Sequence, residues 1–237
     1  MIASPLASVP ENSTFAALKA ELDARAGGRI IASVADALSS GLPELDQALG
    51  GGYAPGTLVS LEGAGCSGRT AVLAATLAGV TRTGLAAIVE APFAGGDGGR
   101  FYPPDLARSG IVLERTLFAQ ANSAIEIARC ADVLMRSKAF AAVAMPAASL
   151  RATVWSRLCG LAQKSGAVLF ALGRDAGNEL GYFASTRIRC GINHVVWHHN
   201  GVLGELCGYE IDARVLKHRR ASPGAVAHLH AAAAEIQ

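Results

Sequence analysis

Excess charge of one sign, paired cysteines and long apolar runs are all missing from this chain of 237 residues. The formal net charge is only +2, so no global basic field draws it onto nucleic acid, and any such contact must rest on a local patch. The five cysteines, Cys66, Cys130, Cys159, Cys190 and Cys207, are odd in number, scattered, and never in C-x-x-C spacing. They read as small buried residues in a reducing compartment, not as disulfides or metal ligands. No run approaches the roughly 18 apolar residues of a membrane span. Residues 1–9 lack the charged and apolar regions of a signal peptide, so a cytoplasmic protein is expected. No internal repeat is visible. What remains is a 51% hydrophobic fraction against 17% charged residues, enough for a large core and contrary to general disorder. The length suits one α/β domain with a small appendage.

The strongest local signal is Gly63-Ala64-Gly65-Cys66-Ser67-Gly68-Arg69-Thr70. An apolar run, Leu58 to Leu61, precedes it, and a small-residue helical segment, Ala71 to Val80, follows. That is the strand, turn and helix setting of a phosphate-binding loop. Gly63, Gly65 and Gly68 let backbone N–H groups close around phosphate oxygens, and the helix points its positive dipole end at them. Ser67 belongs to the same cradle, and Thr70 sits where a hydroxyl reaches Mg²⁺. Arg69 occupies the place of the lysine that contacts the terminal phosphates. It keeps the charge, but its planar fork is bulkier than an ammonium. The loop is therefore degenerate, and ATP or ADP with Mg²⁺, weakly held, is the cofactor it would take. An ordinary glycine turn is the alternative.

Ahead of the loop, Ser13 or Thr14 can cap a helix carrying Phe15, Leu18 and Leu22 on one face, and residues 29–34 read as a short strand. This N-terminal arm, residues 1–35, cannot bury both of its faces locally. It lies either on its own domain or on a neighbouring subunit, which makes Phe15, Leu18 and Leu22 candidate docking residues. Leu42 to Leu49 reads as a short helix. Beyond the loop, strands at Leu85–Val89, Thr116–Ala119, Phe140–Met145 and Ala167–Leu172 alternate with helices, one capped by Asn122 and one over Leu150–Lys164. This alternation predicts a central, mainly parallel sheet flanked by helices. Arg187–Ile192, Val195–His198 and Tyr209–Leu216 read as adjacent strands with Asn200-Gly201 as a hairpin turn. The core domain spans residues 36–224, and residues 225–237 read as a frayed helix or tail.

A nucleotide-hydrolysing P-loop protein also needs an acid at a neighbouring strand end to hold Mg²⁺, and a group that orients the attacking water. The strand Phe140–Met145 ends in Met145-Pro146, with no carboxylate. Glu90, ending the Leu85 strand, is either a base or a strand-end carboxylate facing solvent or an arginine. The second fits better, since a base is useless without the metal-side acid. His194, His198 and His199 around Trp197 have no nearby acid and read as surface and packing residues rather than a metal site.

Several motifs in unbroken order resemble the RecA recombinase core. They are Gly41-Leu-Pro-Glu-Leu-Asp-Gln-Ala-Leu49, Gly51-Gly-Tyr-Ala-Pro-Gly56, the loop, the Asn122–Ser137 segment, Phe183-Ala-Ser-Thr-Arg-Ile-Arg189, and Arg214-Val-Leu-Lys-His-Arg-Arg-Ala-Ser-Pro223. The likeness covers about residues 30–224 and implies a RecA-like P-loop core with a short helix–strand arm. The departures fall on the switch parts. Pro92 stands where the RecA family has its catalytic glutamate, and Pro146 or its neighbour where the Walker B aspartate would be. The first DNA-binding loop has no room before Leu150, the second is cut to Arg174–Gly181, and the γ-phosphate-sensing glutamine is absent from Ala171-Leu172-Gly173.

A scaffold without its motor is similar to the ImuA-type paralogues of RecA, accessory factors of error-prone translesion synthesis. That resemblance implies a non-catalytic protein of DNA-damage tolerance and SOS mutagenesis. Its partners would be RecA and an ImuB-like Y-family polymerase subunit, with self-association open and DNA contact weak or indirect. Lys217, Arg219 and Arg220 match a basic segment that, in the RecA family, reaches the nucleotide of the adjacent protomer. Here that role, a DNA phosphate contact and a solvated strand end are all open. Arg187 and Arg189, alternating on one strand face, fit the same argument. The rival readings are a DNA-stimulated ATPase of recombination or repair, and a regulatory domain holding nucleotide as a static ligand.

Overall fold

A computed structural model describes residues 37–91, 100–200, 203–219 and 223–232. The arm residues Phe15, Leu18 and Leu22, together with Arg220, lie outside them. In chain order the elements are α1 (Pro43–Leu49), β1 (Leu58–Glu62), α2 (Arg69–Thr83), β2 (Leu85–Glu90), α3 (Pro103–Arg108) and β3 (Thr116–Gln120). They continue through α4 (Ala124–Ser137), β4 (Phe140–Pro146), α5 (Ala152–Ser165), β5 (Val168–Gly173), α6 (Gly177–Phe183), β6 (Thr186–Asn200), β7 (Leu203–Lys217) and β8 (Val226–Ala232).

The strands form one eight-stranded sheet in the order β3-β2-β4-β5-β1-β6-β7-β8. Strands β1 to β6 run parallel, and β7 and β8 are added antiparallel. The expected mainly parallel α/β sheet is thus the observed fold. Both faces of its centre are covered, which is why β1 is buried at every position instead of alternating. Side-chain alternation sorts the strands into two layers. Val59, Leu61, Ala144 and Phe170 face the layer of α1 and α2, while Leu58, Val143, Met145 and Leu169 face Ile127 and Met135 of α4 and Trp155 of α5. Asp132 bridges the two outer helices, accepting from Arg136 at 2.7 Å and Arg157 at 2.6 Å.

Several expectations are corrected. The N-cap of α4 is Ser123, not Asn122. The Ser123 hydroxyl accepts from Glu126 N–H at 3.2 Å, and the Glu126 carboxylate reaches back to the Asn122 N–H at 2.8 Å. This reciprocal arrangement satisfies two donors that the first helical turn would leave open. Helix α5 starts at Ala152 rather than Leu150. The stretch Arg174–Gly181 is not a bare loop, because α6 begins within it. The two strands expected around residues 187–198 are one strand, β6, with register shifts at Ile192/His194 and Val196/Trp197. Residues 226–232 are neither helix nor tail. They form β8, which pairs with Gly208–Arg214 and buries Ala227 and Leu229.

Candidate phosphate-binding site

The loop joins β1, one of the two central strands of the sheet, to α2, the longest described helix. Its first residue, Gly63, has φ 154° and donates its N–H to the carbonyls of Gly173 at 3.0 Å and Arg174 at 3.1 Å, which ties the loop to the end of β5. A Cβ at Gly63 would stand 2.3 Å from Ser67 Oγ and 2.7 Å from the Cys190 carbonyl oxygen, so no side chain fits. Gly68 caps α2 with φ 84°, a left-handed conformation that suits glycine, and a Cβ there would strike Ile211 at 2.5 Å. Both glycines are thus required by space as well as by backbone angle. Ser67 is buried, and its hydroxyl has no hydrogen-bond partner among the described residues.

Arg69, the first residue of α2, folds back over the loop. Its Nη1 donates to the Gly63 carbonyl and, at 3.0 Å, to the Ala64 carbonyl. Thr70 follows and is exposed. A cavity opens beside this helix start. Arg69, Thr70 and Arg100 line it with polar groups, and Met145, Pro146 and Leu172 with apolar ones. Among the described residues no carboxylate belongs to its lining. Met145 is buried in the layer that contains Trp155 and Leu158 of α5.

The acids at the two strand ends are otherwise engaged. The favoured expectation, that Glu90 faces solvent or an arginine, is corrected: among the described residues it has no arginine partner. It is buried, and its Oε1 accepts the Phe101 N–H at 2.8 Å. Glu62, directly before the loop, has a fully buried side chain (0% exposed). It accepts a two-pronged contact from Arg187, with Nε to Oε1 at 2.6 Å and Nη2 to Oε2 at 3.1 Å. Arg189 Nη2 adds a third bond at 3.3 Å. Parallel register explains the meeting, because Ser60 lies beside Arg187 and Glu62 beside Arg189. The Glu62 hydrogen bonds hold the Arg187 guanidinium charged even more firmly than usual, against a smaller opposing effect of burial.

The remaining candidates are placed as follows. Lys217 Nζ donates to the Gly181 and Tyr182 carbonyls at 3.1 and 3.0 Å, near the C-terminal end of α6 where a cation is favoured. Burial, and then the charges of Arg187 and Arg219, lower its pKa. Arg219 is exposed. The structure thus brings Arg187, Arg189 and Lys217 together around Glu62 and α6, with Arg189 (54% of its side chain) and Lys217 exposed and Arg187 half-buried. Burial pushes the Cys190 thiol up to about 12, as suits an inert core cysteine. Among the described residues no cluster could hold a metal ion, and no helix is long and apolar enough to cross a membrane. Sequence reasoning missed Glu62 and Arg100. The one signal for Glu62 was an acid ending an apolar strand, and Arg100 sat behind the glycine-rich run at residues 95–99.

No family model matches the chain. It is 35% identical over 103 residues to the protein RecA of Picosynechococcus sp., a stretch that is 43% of this chain and 28% of that protein. The matched region is thus well under a third of the relative's length. Among solved structures, the RadB recombinase is similar with a TM-score of 0.61 at 20% identity, over 81% of this chain and 95% of that one. The central strand that feeds a glycine loop, the strand order around it and these two likenesses converge on one conclusion: this chain has the fold of the RecA-like P-loop superfamily.

Proposed function

We propose that this chain is a non-hydrolysing RecA-like accessory factor of DNA-damage tolerance. It acts in translesion synthesis by binding RecA and an ImuB-like Y-family polymerase subunit. The observation that carries the non-hydrolysing part is the cavity beside Thr70, lined by Met145 and Pro146 where hydrolysis requires a metal-holding acid. Without that acid, and with Glu90 committed to the Phe101 N–H, neither metal nor water is positioned, and positioning with electrostatics is most of such catalysis. The partner assignment rests on the ImuA-type pattern of losses in the sequence. Internal pairing of Arg187 and Arg189 with Glu62 supports the expectation of weak direct DNA contact.

The competing reading, a DNA-stimulated ATPase, draws on the intact glycine cradle and Thr70. Two measurements decide. ATP turnover, with and without single-stranded DNA, is expected to stay at background; RecA-like turnover that Thr70→Ala abolishes would favour the ATPase. Pull-down of the full chain with purified RecA and with the polymerase subunit is expected to give specific complexes, and failure with both would remove the accessory role.

A further inference from the structure

Strand β8 ends the sheet, and no described strand pairs with its outer edge. The Val215 N–H donates to the Ala225 carbonyl and the Val215 carbonyl accepts from Gly224, both at 2.8 Å. Antiparallel ladders alternate from there, so Ala227, Leu229 and Ala231 bond to β7 while His228 and His230 turn their N–H and C=O groups outward. Natural edge strands carry a charge, a proline or a bulge that blocks further pairing. Val226–Ala232 has no lysine, arginine, acid or proline, and its register with β7 is unbroken. The strand is also its own complement, because Ala227-His228-Leu229-His230-Ala231 reads the same in both directions. Its faces are cleanly sorted. Ala227 and Leu229 are buried in the layer of α1 and α2, Ala231 packs against that layer, and both histidines are exposed.

We infer that β8 pairs antiparallel with β8 of a second copy about a two-fold axis at Leu229, so that one sheet runs through both copies. A two-fold axis normal to the sheet keeps each face on its own side and closes the assembly as a dimer. On the inner face Leu229 meets the partner's Leu229. Ile211 lies beside Leu229 within each copy, so the apolar layer crosses the junction without a break. On the outer face His228 meets the partner's His230. Asp212 stands beside His228, 2.8 Å from its Nδ1, and Glu210 stands beside His230. Each imidazole pair across the junction is therefore flanked by a carboxylate on either side, and no two carboxylates are brought together. The outward backbone groups of His228 and His230 exchange bonds with their counterparts, which is strand addition at a sheet edge. Neither the glycine loop nor a different protein takes part, so the inference stands apart from the accessory reading.

Sedimentation equilibrium of the full chain over a range of concentrations tests it. The mass should rise with concentration toward a dimer of the 24.2 kDa chain. His230→Pro deletes an outward N–H without touching the ladder to β7. The double variant His228→Lys/His230→Lys sets lysine against lysine across the junction. Each change counts twice in a two-fold dimer, so each variant should weaken self-association about tenfold or more. Both replace exposed side chains, and the lysines have Asp212 and Glu210 beside them, so thermal melts should match the parent. If His230→Pro lowers the Tm, the double-lysine variant decides. A monomer at every concentration would overturn the inference, and so would a dimer as tight in the folded edge variants as in the parent. RecA capture that fails in those variants would overturn it too, because the edge would then belong to a different protein.

Discussion

Removing the Glu62 carboxylate is the perturbation the structure weighs best. Glu62 is 0% exposed and holds two bonds from Arg187 and one from Arg189, whose side chains are 26% and 54% exposed. Breaking a buried pair by deleting one partner costs about 3–5 kcal/mol, because the other charge is stranded. Both arginines reach water here, so solvation recovers part of that loss and about 2–3 kcal/mol is expected for Glu62→Gln. A domain of this size loses about 2–4 °C per kcal/mol, which gives a fall in Tm of about 4–12 °C. Differential scanning calorimetry reads it directly. The cause is then checked with a cycle. In the Glu62→Leu/Arg187→Met double variant an apolar pair replaces the ionic one, and much of the lost stability should return. A Glu62→Gln variant melting within about 2 °C of the parent, or no recovery in the double variant, would refute the claim that this pair fixes the base of the loop.

Further outcomes are expected elsewhere. Burial raises the Asp132 pKa, but its bonds to Arg157 and Arg136 outweigh that and hold it below the usual carboxylate range. Its stabilising contribution is therefore present above about pH 4, the unfolded value, and lost as pH falls through the lower folded value. Asp132→Asn should melt earlier than the parent at pH 7, with the gap closing under acid, and a gap independent of pH would contradict the pairing. Ser123→Ala removes the α4 cap and should cost about 1 kcal/mol in urea melts, whereas Asn122→Ala, which keeps its backbone N–H, should cost far less. Deleting residues 1–28 should leave Tm nearly unchanged while RecA capture or self-association is lost; a much lower Tm would assign that segment to the core.

The parallel half of the sheet was legible because its strands are short apolar runs separated by turn residues, and β1, β2, β4 and β5 fall where those runs lie. The loop was legible for the same local reason, since its glycines, Arg69 and Thr70 are consecutive. Features that depend on distant partners were not. Strand β8 is rich in alanine, a helix former, and its alternation of Ala227 and Leu229 with exposed His228 and His230 is short. An available β7 backbone overrides local propensity there. Ser123 and Asn122 are both competent caps, and only the return contact of Glu126 separates them. The basic residues Arg187, Arg189 and Lys217 were seen as outward cations, because nothing near them in sequence announces Glu62 or the end of α6.

The separation of Glu62 from Arg187, 125 residues along the chain, sets a clock on biosynthesis. Strand β1 lies between β5 and β6, so both of its neighbours are translated after more than half of the domain has emerged. At about 5–20 residues per second, Glu62 waits about 6–25 s for its arginine. Through that interval β1 is an apolar strand with two unpaired edges, the kind of segment that associates with the wrong neighbour. An acid at its end, charged and hydrated until Arg187 arrives, is the one position in Leu58–Glu62 that opposes such pairing. The carboxylate that anchors the finished loop thus also guards the nascent strand, and its removal should be felt in soluble yield during synthesis before it is felt in the melting of the folded protein.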